Sequence, residues 1–307
     1  MATTTSITTT YAGEFAGKYV SSALLSGNTL SQGLISIKPN VKYKEVLKRL
    51  DLDGIVANAS CDFSDTSTVT LTERILEPKE LQINLELCKT PFQSDWEAES
   101  MGFSAHDNLP KTFSDYFIAH VSAKVAEKTE QDIWSGVAGA GTFDGFETLL
   151  SLDAALPAAN EVTGIAVTAT NVVAELGKIS DAIPASLYGN EGLTIYVSQN
   201  IFRAYKRALA TVGGSVQGNN QDINVEYFDG IRVAMVNGMS SNVAIASLKD
   251  NLYFGTGLMS DQQELKVLDM SDLDGSLNAR FIMRYTAAVQ YSVVEDVVTY
   301  GIVNAAN

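Results

Sequence analysis

The chain has 307 residues, 46% of them hydrophobic and 8% aromatic, enough to bury a substantial core in one or two domains. A formal charge of -15 argues against a nucleic-acid reader, because phosphate binding needs a basic footprint. No apolar run approaches the roughly 20 residues of a membrane span, and the opening MATTTSITTT lacks the basic and apolar regions of a signal peptide, so a soluble protein made in a cytoplasm is expected.

Residues 1–35 are rich in Thr, Ser and Gly with scattered apolar anchors (Tyr11, Phe15, Tyr19, Leu24, Leu25), a composition that resists independent folding and reads as an extended arm. The charge is uneven. Residues 1–50 hold six Lys or Arg against Glu14 and Glu45, leaving 15 basic and 34 acidic residues for the remainder. A basic segment with Lys42, Lys48 and Arg49 can therefore dock on the acidic body of another copy, or else form a solvated face. An amphipathic stretch from Tyr43 to Leu50 leads into an expected turn at Asp51 to Gly54.

From Thr68 to Lys89 the chain reads TVTLTERILEPKELQINLELCK. Apolar residues fall at the odd positions Val69, Leu71, Ile75, Leu81, Ile83, Leu85 and Leu87, broken only by Glu73, the period of a strand with one buried face. A three-residue loop, Glu77-Pro78-Lys79, would pair Leu76 with Glu80 and set Ile75 opposite Leu81, Leu71 opposite Leu85 and Val69 opposite Leu87. An isolated hairpin of this length is marginal in water. Its stripe must rest on a sheet of its own chain or on another subunit, which makes Val69, Leu71, Leu81, Ile83 and Leu85 candidate intersubunit contacts. Arg74 and the tip residues Glu77, Pro78 and Lys79 would set specificity through charge. The same register keeps Cys61 and Cys88 apart, and both are expected to be reduced thiols.

A helix follows, with Thr112 as N-cap, Gly136 as stop, and Phe113, Phe117, Val121 and Val125 recurring every four residues. About 22 residues give a strut of roughly 33 Å. Beyond Gly145 the pattern is mixed α/β: a helix from Thr170 to Ile183 ended by Pro184, a buried strand at Leu193 to Val197, a helix from Gln199 to Ala210, and strands at 224–228, 231–236 and 243–248. The chain closes on strict alternation from Phe281 to Val293, roughly 43 Å of strand at ~3.3 Å per residue.

Residues suited to catalysis are sparse. His106 and His120 are the only imidazoles, with no cysteine pair at zinc spacing. The Ser, His and Asp of GFSAHD lack a nucleophile elbow, and the glycines of SGVAGAGTFDG follow a helix and have no Gly-Lys-Ser/Thr. Asp269, Asp272 and Asp274 lack calcium-loop spacing. No catalytic residue, cofactor or metal is expected.

This order of parts resembles the major capsid proteins of tailed bacteriophages, the Hong Kong 97-type fold. The matching stretches are MATTTSITTT onward for the N-terminal arm, TVTLTERILEPKELQINLELCK for the extended β-ribbon or E-loop, TFSDYFIAHVSAKVAEKTEQDIW for the spine helix, LTIYVSQNIFRAYKRAL within the A domain, and ARFIMRYTAAVQYSVVEDVVTYG for the closing P-domain strand. NVKYKEVLKRLDLDG and CKTPFQSDWEAESMGFSAHDNLP are also similar to capsid sequences from phages of Bacteroidetes.

The resemblance implies an α+β fold divided into arm and basic segment (1–50), E-loop ribbon (51–100), P domain with spine helix (101–150), A domain with some P-domain strands (151–274) and closing strand (275–307). It implies a virion shell of hexamers and pentamers that encloses double-stranded DNA without sequence-specific binding, with a portal and no membrane. With the ribbon starting near Thr68, a long upstream scaffolding segment is not expected and a separate scaffolding protein is implied. An encapsulin-like compartment shares the fold and is one alternative. An enzyme with a β-ribbon dimerisation arm, or a surface adhesin or tail component, are others.

Overall fold

The computed structural model describes residues 28–53, 56, 58, 68–88, 111–212, 225–257, 266–270 and 275–306. Its first elements are the short helix α1 (Asn28–Ser31), β1 (Ser36–Lys38), β2 (Glu45–Asp53), β3 (Thr68–Leu76), β4 (Lys79–Cys88), the long helix α2 (Lys111–Ser135) and α3 (Phe146–Ser151). Then come β5 (Glu161–Val162), α4 (Val172–Ala182), β6 (Leu193–Ser198), α5 (Gln199–Val212), β7 (Val225–Phe228), β8 (Ile231–Val236), β9 (Ala244–Leu248), β10 (Leu252–Gly255), β11 (Lys266–Asp269), β12 (Asn278–Tyr291) and β13 (Val298–Tyr300).

Strand β12 organises the first sheet. Its 14 residues alternate so that Ala279, Phe281, Met283, Tyr285, Ala287, Val289 and Tyr291 are all buried. One edge pairs with β11 near its start and β10 near its end, and β1 adds to β10 in parallel. Along the other edge β4 runs antiparallel from Cys88 opposite Asn278 to Lys79 opposite Ala287. The second sheet has the order β5-β13-β9-β6-β8-β7, with β6 and β8 parallel. All six residues of β6 are buried because both of its faces are covered. Ile195 and Val197 pack on α4 and α5 through Val172, Leu176, Phe202 and Tyr205, while Tyr196 points into the core shared with the first sheet.

The two sheets meet at the end of α2. Trp134 is fully buried, its ring 5.4 Å from Phe146 and 5.1 Å from Tyr196. Its indole Nε1 donates to Thr29 Oγ1 at 2.8 Å, and that hydroxyl donates at 2.5 Å to Glu130 Oε1, whose second oxygen accepts the Thr29 amide at 3.1 Å. Burial raises the Glu130 carboxyl above the ordinary value, against the pull of the Thr29 bonds. The chain then inserts Leu34 and Ile35 into the core, and Tyr196 Oη donates to the Leu34 carbonyl at 2.7 Å. So the part of the arm from Asn28 onward is fastened to its own body. Residues 1–27 lie outside the described residues.

Several sequence expectations are met in position and type. The long helix spans 25 residues, about 37 Å, and its backbone ends where Gly136 was expected to stop it; it begins at Lys111, so Thr112 falls within its first turn. The helices after Thr170 and at Gln199, the strand at Leu193 and the closing strand are present. The expected hairpin is not. Strand β3 pairs with β2, Val46 opposite Ile75 and Leu50 opposite Leu71, and β4 belongs to the sheet of β12. Asp51 to Asp53 continue β2 and do not turn. Alternation specifies which face of a strand is apolar and leaves its neighbour open; here the odd positions of β4 match Phe281, Met283 and Tyr285 of β12, and Arg280 stands opposite Glu86 with an ion pair of 3.3 Å.

Gly238 lies against α2, where an added Cβ would come within 2.0 Å of the Glu130 carbonyl oxygen. Gly238→Ala is expected to cost about 1–3 kcal/mol or more by overpacking. Thermal unfolding should show a lowered melting temperature with far-UV circular dichroism unchanged below the transition.

Candidate functional site: the two faces of the ribbon

Strands β2 and β3 form a two-stranded ribbon that pairs with no other described strand. Its two faces differ because of the register. One carries Leu47, Arg49, Arg74 and Leu76, and it turns to the body of its own subunit. Leu76 is fully buried beside Val41 and Ala288, above Gly255, where an added Cβ would sit 2.8 Å from Leu76 Cδ2. Arg49 Nη1 reaches Glu295 Oε2 at 2.6 Å, and Arg74 Nη2 reaches Asp153 Oδ2 at 2.6 Å. The Arg74 guanidinium also lies 4.5 Å from the centre of the Tyr291 ring, and Tyr291 Oη donates to the same Asp153 oxygen at 2.6 Å. At the base, Lys44 pairs with Glu77 at 2.9 Å and Lys38 with Glu45 at 2.5 Å.

The other face carries Val46 opposite Ile75 and Leu50 opposite Leu71, with Lys48 opposite Glu73 between the two pairs, and Val69 beyond them opposite Leu52. All five apolar residues are exposed, Leu50 at 58%, Val69 at 57% and Leu71 at 70%. Scattered exposed aliphatics are ordinary on a protein surface; here five share one face of a narrow ribbon, interrupted only by Lys48 and Glu73. Val56, just past β2, is 93% exposed.

The candidate contact residues named from the sequence therefore separate into groups. Val69 and Leu71 sit on the outward face, and Lys48 shares it, while Lys42 is exposed just before β2. Leu81 is only 8% exposed and Ile83 is half-buried; both pack in the core of their own sheet, opposite Tyr285 and Met283, and cannot serve a partner without leaving it. Leu85, farther along β4, keeps 39% of its surface. Arg49 and Arg74 are spent on intramolecular ion pairs. Glu77 and Pro78 join β3 to β4 at the base of the ribbon, and Lys79 opens β4 exposed, so these three are not a tip. Sequence reasoning missed Val46, Leu50 and Ile75 as contact candidates. Val46 and Leu50 were legible as apolar residues of one parity, yet Lys44, Lys48 and Arg49 around them made the stretch read as a basic segment.

As to other chemistry, no group of three or more His, Cys, Asp or Glu side chains comes together among the described residues. No described helix is long and apolar enough to cross a membrane. His120 is exposed on α2. The glycine-rich stretch after α2 is a tight turn, with Gly139 bridged to Thr142 and Asp144 Oδ1 accepting the Ala138 amide. His106, Cys61, Asp272 and Asp274 lie outside the described residues.

No protein-family model matches the chain, and no curated protein matches it. Solved structures do. The Cyanophage A-1(L) capsid asymmetric unit aligns over 97% of this chain and 96% of that one, with a TM-score of 0.62 at 14% identity. The capsid of the empty GTA particle aligns over 90% and 89%, with a TM-score of 0.60 at 12% identity. The satellite phage P4 procapsid, a structure that includes the size determination protein Sid, aligns over 98% and 92%, with a TM-score of 0.55 at 9% identity. The chain has the mixed α+β fold of phage capsid proteins.

The inward face makes the ribbon sensitive to acid. Burial alone would raise Asp153, but hydrogen bonds from Tyr291, the Ala155 amide and Arg74 hold it below the ordinary 3.8. Burial likewise opposes Arg49 at Glu295, and Arg49 prevails, holding Glu295 below 4.5. Carboxylates with lowered folded values stabilise the fold above their unfolded values and lose that contribution as the pH falls through the folded ones. Glu130 and Glu147 in the body are shifted upward by burial and act in the opposite sense, while Glu175 of α4 is held below 4.5 against burial by hydrogen bonds from Lys178 and Tyr300 and acts in the same sense. Hydrogen exchange, corrected for intrinsic rates, should therefore show peptides of β2 and β3 losing protection below about pH 4 before those of β6 do. Tyr291→Phe should move that loss to higher pH.

Proposed function

We propose that the protein is a major capsid protein, a shell subunit that assembles with copies of itself into the icosahedral head of a tailed phage. The observation that carries this is the outward face of the ribbon, apolar, exposed and projecting from a body with a phage capsid fold. In an assembled shell, Val46, Leu50, Val69, Leu71 and Ile75 would lie on a neighbouring subunit. Covering each of these partly exposed side chains is worth about 1 kcal/mol, part of which is offset by immobilising the ribbon. One such contact is weak. A closed shell repeats it at every interface, and the sum makes dissociation slow.

Hexamers and pentamers of the chain, a portal and a separate scaffolding protein are the partners this role calls for, with double-stranded DNA enclosed and not read. The acidic composition suits an enclosing wall, since it repels phosphate and leaves the genome free to pack and leave. The virion would be its final location.

Expression of the chain, with and without a scaffolding protein, followed by negative-stain electron microscopy, tests the proposal. Shells are expected for the unaltered chain. Leu71→Asp puts a charge on the outward face and is expected to abolish shells while leaving the melting temperature of the subunit within about 1–2 °C of the parent. Ile83→Asp strikes the subunit's own sheet and is expected to lower that temperature markedly. Monomers or dimers alone under every condition, or normal shells from Leu71→Asp, would overturn the proposal.

A further inference from the structure

Strand β6 passes directly into α5, and β8 runs parallel beside it, so the carboxyl ends of two adjacent parallel strands and the N-terminus of a 14-residue helix open at one place. A cavity of about 500 Å³ lies there, with Ser198, Gln199, Asn200, Arg203, Asn237 and Ser241 among its lining residues. Among the described lining residues Arg203 carries the one formal charge and none is a carboxylate.

The first-turn amides of α5 have no acceptor within the helix, and they create a field that favours an anion. Ser198 stands where a serine hydroxyl would ordinarily accept from one of them. Its residue is 1% exposed, yet Ser198 Oγ makes no hydrogen bond within the described chain. No acidic residue occupies the first turn. The wall beside it is held in place, since Asn200 Nδ2 donates to Asn242 Oδ1 at 2.6 Å, and Asn242 Oδ1 also accepts the Val167 amide at 3.1 Å.

We propose that this cavity binds a small oxyanion, a phosphate or a carboxylate group, held by the first-turn amides of α5, the Ser198 hydroxyl and the Arg203 guanidinium. Amides supply the field, Arg203 supplies the neutralising charge one turn along the helix, and Ser198 donates from the floor. The site belongs to the six-stranded sheet and is independent of the ribbon.

The test is calorimetric titration of the full chain with inorganic phosphate and, separately, with acetate, at constant ionic strength balanced by chloride. Saturable binding of either anion in the millimolar range or tighter is expected. It should be weakened about tenfold or more by Arg203→Ala and by Ser198→Ala, the loss expected for a hydrogen bond to a charged group. Phosphate alone would mark a site for a tetrahedral anion, and acetate alone a site for a side-chain carboxylate. A purely linear response to both, or saturable binding that survives both substitutions, would overturn the assignment.

Discussion

A two-stranded ribbon has two faces, and in this protein one body to lie on. The ion pairs Arg49–Glu295 and Arg74–Asp153, with Leu76 beneath them, commit the inward face to that body. Register then leaves Val46, Leu50, Val69, Leu71 and Ile75 pointing away from it. Little freedom remains: rotating the ribbon to bury its apolar face would break two partly buried ion pairs and strand Asp153, which Tyr291 already holds as an anion. The inward face is spent on ion pairs within its own chain, and the outward face keeps its apolar side chains exposed.

The rest of the fold supports that geometry. Strand β12 is long enough to carry β4 along one edge and both β10 and β11 along the other, and its C-terminal end supplies Tyr291 to the ribbon clamp. Helix α2 ends in Trp134, where the two sheets and the early segment around Thr29 converge on one indole and one buried carboxylate. Glu130 accepts two hydrogen bonds from Thr29 and one from the Asn237 backbone.

Much of this was legible in the sequence. Alternation from Phe281 onward gave the closing strand, which buries one face along its length, and the four-residue recurrence through Val121 and Val125 gave the long helix. Strand pairing was not legible. The odd-numbered apolar residues on either side of Pro78 look like one stripe, but those before it face outward and those after it face the core. A local pattern cannot distinguish a hairpin from two strands that part company, since the partners Glu45–Asp53 and Asn278–Tyr291 lie far away in the chain. Arg49 and Arg74 likewise gave no hint that their carboxylates, Glu295 and Asp153, sit 246 and 79 residues on.

What decides the matter is the environment of Leu71 in the assembled particle. A photoreactive amino acid placed at position 71, irradiated in shells and again in dissociated subunits, reports which chain lies over the outward face. Cross-links to a second copy in shells and none in subunits are what the account predicts. Cross-links confined to the same chain in both states, or a position that stays open to solvent in the finished shell, would contradict it.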